Sequence, residues 1–217
     1  MNEKLNTGDV CAIKLETSNQ YILCRILFDV DNQLKQNSAN SESYLSTFAG
    51  CQLVEVYKGI YDNPSIPENL EILIPRVFVF QIDSKANNLK WEKIGHKEVD
   101  FTKVEFPEVV GNAFNNVRLM RGELYFNTPN IQNPLQYPGI LPTPEYPVVI
   151  LDASLALQGR EDLINGEYYP ESLTDLDLCY HPEERIKIYD DLGLDPNKSY
   201  YELSKEMGFD LARFYEK

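Results

Sequence analysis

The chain of 217 residues carries 20 Lys and Arg against 34 Asp and Glu, a formal charge of −14, and only two His, at 96 and 181. That length fits one large domain or a domain with a smaller companion, and the fourteen Tyr and ten Phe supply a real core, which excludes a disordered chain. A field of this sign repels nucleic acid and anionic membrane and draws basic partners.

The first residues, Met1 to Gly8, contain no apolar stretch of the kind a signal peptide needs. The longest apolar run, near Ile72–Ile82, is broken by Pro75, Arg76 and Gln81 and is too short to span a membrane. A cytoplasmic protein is the expectation. Cys11, Cys24, Cys51 and Cys179 are scattered, with no C-x-x-C and no His at ligand spacing. Cys11 and Cys24 fall in strand-like stretches and read as small buried residues, with a cross-strand disulfide or a nucleophilic thiol as the alternatives.

In chain order, Gly8-Asp9 is a turn, and Val10–Leu15 and Tyr21–Val30 form an antiparallel hairpin across polar Ser18-Asn19-Gln20. Asp31–Ser46 is Asn- and Ser-rich and reads as a loop. Strands follow at Gln52–Tyr57, Glu71–Ile82, Lys90–Ile94 and Val117–Phe126, with Ser84–Asn88 as a hairpin end between the second and third. Val77–Ile82 is nearly all apolar, the mark of a strand covered on both faces. Short strands with turns between them predict a strongly bent sheet or small barrel.

Residues 127–147 hold six prolines, at 129, 134, 138, 142, 144 and 147. That density forbids helix and ladder and predicts an extended strap anchored by Tyr137, Ile140, Leu141 and Tyr146, or a linker. Val148–Leu151 reads as a short strand. Pro182 opens a helix with Glu183 and Glu184 in its first turn, and Gly193 ends it. Ser199-Tyr-Tyr-Glu202 is a capping box, after which Tyr200, Leu203, Met207, Leu211 and Phe214 recur at steps of three and four. Gly208 divides that stripe, and Asp210 caps its second half.

Catalytic patterns are missing: no Gly-rich phosphate loop, no G-x-S-x-G, no H-E-x-x-H and no calcium loop. His96 and His181 read as surface or boundary residues, and Asp175-Leu-Asp177 as solvated acids rather than a cation site. No catalytic residue, metal ligand or cofactor is expected. From Glu161 to Asp195, by contrast, eleven acids stand against Arg185 and Lys187, interleaved with tyrosines. Tyrosine gives contact area at low entropic cost, and carboxylates give steering. The expected partner-binding set is therefore Tyr168, Tyr169, Asp175, Asp177, Glu183, Glu184, Asp190 and Asp191.

The run Thr7-Gly-Asp-Val-Cys-Ala-Ile-Lys-Leu15, followed by Tyr21-Ile-Leu-Cys-Arg-Ile-Leu27, resembles the opening of a bacterial family, the polymorphic-toxin immunity proteins numbered twenty-six. Its members often begin with a G-D-[VI]-F-x-I-P-L strand and then a G-K-Y-x-x-[GA]-R-[VI]-L strand. Cys11 stands where Phe is common, Lys14 replaces Pro, Leu23-Cys24 replaces the small residue, and Arg25 matches. The resemblance covers roughly residues 5–126. It implies a mostly β, cytosolic protein that neutralises a cognate toxin by occlusion, so no catalytic residue carries over.

The combined expectation is an α+β protein with a β-rich core over 1–126, a strap or linker over 127–147, and an acidic, helix-ended segment over 148–217. Its function would be non-enzymatic binding of a basic protein toxin, with no nucleic acid or membrane partner. A small hydrolase or nucleotide-modifying enzyme with an unrecognised site is the alternative, and a regulatory or scaffold module a third.

Overall fold

The computed structural model describes residues 4–36, 43–113, 116–128, 130, 144–165, 173 and 177–216. The chain forms two compact units, each discontinuous in sequence. The first comprises Met1–Asn32, Phe48–Val99 and Pro144–Pro170, the second Gln33–Thr47, Asp100–Thr143 and Glu171–Lys217. The division at 126/127 suggested by composition falls inside the second unit.

The first unit is built on an antiparallel sheet of β1 (Asp9–Lys14), β2 (Tyr21–Asp29), β3 (Cys51–Tyr57), β4 (Ile72–Phe80) and β5 (Trp91–His96), in the order β4-β3-β2-β1-β5. The expected hairpin is β1–β2, in the register Val10↔Arg25, Cys11↔Cys24, Ile13↔Ile22. β3 is buried along its whole length, and β1 and β2 nearly so, which is why their apolar residues run on instead of alternating. Two polar residues buried on β3 are matched: Glu55 lies opposite Arg25 and pairs with its Nε at 2.9 Å, and Gln52 accepts from the Ile82 N–H at 3.1 Å.

Two expectations fail in this sheet. β4 and β5 are not a hairpin; they are opposite edges, and the chain between them, Ser84–Asn88 included, crosses from one side to the other. Because the edges do not pair, the sheet does not close into a barrel. Each edge is blunted instead. β5 carries a bulge, since Val10 faces Gly95 while Cys11 faces Lys93, leaving Ile94 without a partner in the ladder. β4 contains Pro75, and at its far end Glu145 exchanges backbone hydrogen bonds with Phe78 and Phe80 at 2.8 and 2.9 Å. The end of the proline-rich stretch thus lies along β4, and Tyr146 packs its ring on Phe80 at 5.0 Å. The anchors Tyr137, Ile140 and Leu141 lie outside the described residues.

The segment read as a strand at Val148–Leu151 is helix: α2 runs Pro147–Leu157. A four-residue apolar run does not distinguish the two, but Pro147 at the first helical position and the Ala and Leu residues that follow decide it. From Tyr146 at Phe80, α2 runs back along β4. Beyond its C-terminus Gln158 accepts from the Gly59 N–H at 2.6 Å, next to the Tyr57↔Ile72 pair.

The loop expected over Asp31–Ser46 begins instead as helix α1 (Val30–Gln36), with Asp29 accepting the Asn32 N–H at 2.9 Å. Tyr44–Phe48 then forms a 3-10 turn with Leu45 buried.

The second unit holds a meander of β6 (Glu108–Ala113), β7 (Asn116–Arg121) and β8 (Leu124–Asn127). The single strand expected over Val117–Phe126 is therefore a hairpin, and β6 is an addition to the strands the sequence predicts. Gly122 makes the hairpin turn with φ 59°, and a Cβ there would stand 2.6 Å from the Tyr200 ring. The helical end is close to its sequence reading. α3 (Pro182–Leu192) ends at Gly193 in the left-handed conformation, and α4 (Tyr200–Glu206) starts at the Ser199/Glu202 capping box. After Gly208, Asp210 caps the 3-10 turn Leu211–Phe214. Tyr200, Leu203, Leu211 and Phe214 are buried, whereas Met207 is 44% exposed because the helix ends there and turns away.

Candidate partner-binding face

α3 is held by a charged network reaching from the meander. Glu108 is fully buried and takes a bidentate pair from Arg185 at 2.6 and 2.9 Å, with Arg121 Nε at 3.1 Å on the other side. Arg121 also donates to the Tyr189 hydroxyl at 3.2 Å and pairs with Glu105. Arg185 lies over the Tyr189 ring at 4.6 Å and donates to the Pro196 carbonyl at 2.6 Å. Burial pushes the Glu108 carboxyl up, but its bonds from Arg185 and the Arg121 charge outweigh that and hold it below the ordinary value. Ile188 and Tyr189 complete the buried side.

With Tyr189, Ile188 and Arg185 turned inward, the helical period places Glu183, Ile186, Lys187, Asp190 and Asp191 on the outer face, and all five are exposed. None of Glu183, Asp190 and Asp191 makes an ion pair among the described residues. Ile186 is 49% exposed in their midst, and Tyr180, just before the helix, is 40% exposed. Glu183 and Glu184 sit where a helix N-terminus favours anions. Asp190 and Asp191 sit at the opposite end, where the dipole disfavours them, and the last turn has no base.

The predicted set divides accordingly. Glu183, Asp190 and Asp191 share the exposed face, and Glu184 is half-buried beside it. Asp177 is not a solvated acid: it is 4% exposed, and its carboxylate accepts the Glu108 N–H at 3.1 Å and the Cys179 N–H at 3.0 Å. It caps the turn leading to α3. Tyr168, Tyr169 and Asp175 lie outside the described residues. Ile186 is absent from the predicted set, since only the helix's facing tells an exposed isoleucine from a core one.

The first unit gathers a second cluster around the Gly8-Asp9 step. Gly8 has φ 89°, and a Cβ there would fall 2.5 Å from the His96 ring. Asp9, buried, accepts from the Asn6 N–H at 2.9 Å, Lys93 at 3.0 Å and His96 Nδ1 at 3.0 Å. Burial raises its carboxyl, yet the bonds from His96, Asn6 and Lys93 prevail and hold it below the usual carboxylate value. An aspartate on Nδ1 can orient an imidazole for proton transfer, a role needing a reacting group at the other nitrogen. In the same sheet, the Cys11 and Cys24 thiols are buried, free and 3.0 Å apart, and the contact with Cys24 together with burial pushes Cys11 well up, away from the reactive thiolate. Among the described residues no three His, Cys, Asp or Glu side chains form a group that could hold a metal, and no helix is long and apolar enough to cross a membrane.

Comparison with family models, curated proteins and solved structures gives no match to this chain. What fold and site define is an α+β protein of two antiparallel sheets with an acidic, partly apolar helix face.

Proposed function

We propose that this protein is a non-enzymatic cytosolic binder, an immunity protein that neutralises a cognate basic toxin by covering its functional cleft. The observation that carries this reading is the outer face of α3. Two aspartates stand at the helix end that disfavours them, unpaired by any described base and one turn beyond an exposed isoleucine. Carboxylates that do not serve their own helix fit a partner that supplies the cations. The resemblance of Thr7–Leu27 to the immunity family supports the same reading from the other unit.

The test is a protection assay against the toxin encoded beside this gene, with on-rates measured at two salt concentrations. Association steered by these acids should slow as salt rises, because attraction is screened over about 10 Å at 0.1 M. Reversing Glu183, Asp190 and Asp191 to Lys should weaken protection in a folded protein. Asp177 must be left intact, since its buried cap serves the fold. An on-rate indifferent to both salt and reversal removes the electrostatic account.

The Asp9–His96 contact favours a second reading, a small hydrolase with His96 as base. His96→Ala separates the two: protection survives it in a binder and is lost in an enzyme.

A further inference from the structure

Several lysines of this acidic protein are matched by acids. Lys93 pairs with Asp9, Lys58 with Glu71 and Lys198 with Glu206. Lys14 and Lys90 are not matched, and what sets them apart from the other lysines unmatched among the described residues, Lys85, Lys97 and Lys187, is that they face each other across one cleft. The Lys14 N–H donates to the Lys90 carbonyl at 2.8 Å, continuing the Ile13↔Trp91 register, so the two stand directly opposite each other where β1 and β5 begin to separate. Like charges in that relation repel. Neither lysine makes a hydrogen bond through its amine or an ion pair among the described residues, although the chain has 34 acids.

Both line a cleft of about 440 Å³, walled also by Glu16, Ser18, Asn19 and Asn88. The one acid in the wall, Glu16, is engaged by the Asn165 amide at 2.6 Å. Two opposed, unpaired ammonium groups and a rim of hydroxyl and amide groups offer charge and hydrogen bonds to an oxyanion. An anion between the lysines turns a repulsive pair into two attractive ones. The cleft's volume suits a small metabolite.

We infer that the cleft between Lys14 and Lys90 binds a small molecule through a dianionic oxyanion, a phosphate monoester group ahead of a carboxylate. The site lies in the first unit, is made by other residues than the α3 face, and stands whether or not that face binds a toxin.

The probe is inorganic phosphate, titrated into the full-length protein while amide resonances are followed, with chloride at matched ionic strength and acetate as separate arms. Phosphate should shift Ser18, Asn19 and Asn88 saturably, chloride should not, and acetate should bind more weakly. Lys14→Gln and Lys90→Gln should each weaken phosphate by roughly fivefold or more, and together abolish the response. The double variant, freed of the repulsion, should melt no lower than the parent without ligand. A saturable shift that survives the double substitution, or no saturable shift in the parent, overturns the site. Acetate binding as well as phosphate overturns the preference for a dianion. A clear fall in the double variant's melting temperature shows that the lysines serve the fold, and overturns it equally.

Discussion

Asp152 shows how one buried group ties stability to pH. It lies on α2, 6% exposed, and no described residue hydrogen-bonds to its carboxyl. Burial, with the Glu16 charge adding to it, lifts its pKa from 3.8 to about 6. The fold therefore prefers the protonated form. The resulting stabilisation is complete below pH 3.8 and is lost as the pH rises through about 6. Asp152→Asn should remove the penalty, adding about 1 kcal/mol at pH 7.5 and little at pH 4, since nearby solvent screens part of a shift in which each tenfold change in the proton equilibrium is worth roughly 1.4 kcal/mol. Urea melts of both proteins at the two pH values measure it, and a gain that does not change with pH would discard the account.

At the scale of the element, α3 works against itself. Asp190→Asn and Asp191→Asn should each stabilise the protein by roughly 0.3–1 kcal/mol by relieving the helix C-terminus, while lowering the association rate with the partner. Thermal melts beside on-rates decide; variants that lose stability as well would mean that these acids support the fold. The C-terminal stripe gives a sharper contrast. Leu211→Ala removes a fully buried side chain and should cost about 2–5 kcal/mol, whereas Met207→Ala at a half-open position should stay within roughly 0.5 kcal/mol. Denaturant midpoints of the pair test the assignment, and equal costs would contradict it. These helices are legible in the sequence because their signals are local: Pro182, Gly193, Ser199 with Glu202, and Asp210 all lie within a turn of what they cap. The hairpin β1–β2 is legible for the same reason. The sheet order is not, because β5 pairs with β1 some eighty residues earlier, and periodicity carries no partner information. α2 reads as strand because its apolar opening fits strand and helix alike, and Arg121-Gly-Glu-Leu124 hides its turn because a two-residue loop with one glycine is a faint signal. The α3 face is half legible: its charge is in the sequence, but burial of Asp177 depends on Glu108, a contact 69 residues distant.

Over the whole molecule, charge and connectivity set the behaviour. Part of the net charge of −14 is offset inside the fold, where Glu108 and Glu55 meet arginines and Asp9 meets Lys93, while Asp152 stands buried without such a partner among the described residues. Connectivity has a different outcome. The β1–β5 sheet is finished by His96, yet the helix and the backbone bridge that lie along β4 come only with Glu145–Leu157, after the chain has supplied the meander of the other unit. On a ribosome the sheet would emerge with one edge bare and wait for a segment about fifty residues downstream. A fragment ending at 126 would hold that state permanently, with the Pro75-bearing edge of β4 open to other chains. The order of synthesis thus covers the first unit's edge only after the meander of the second has been made, and its vulnerable period is the interval in which residues 100–143 are being added.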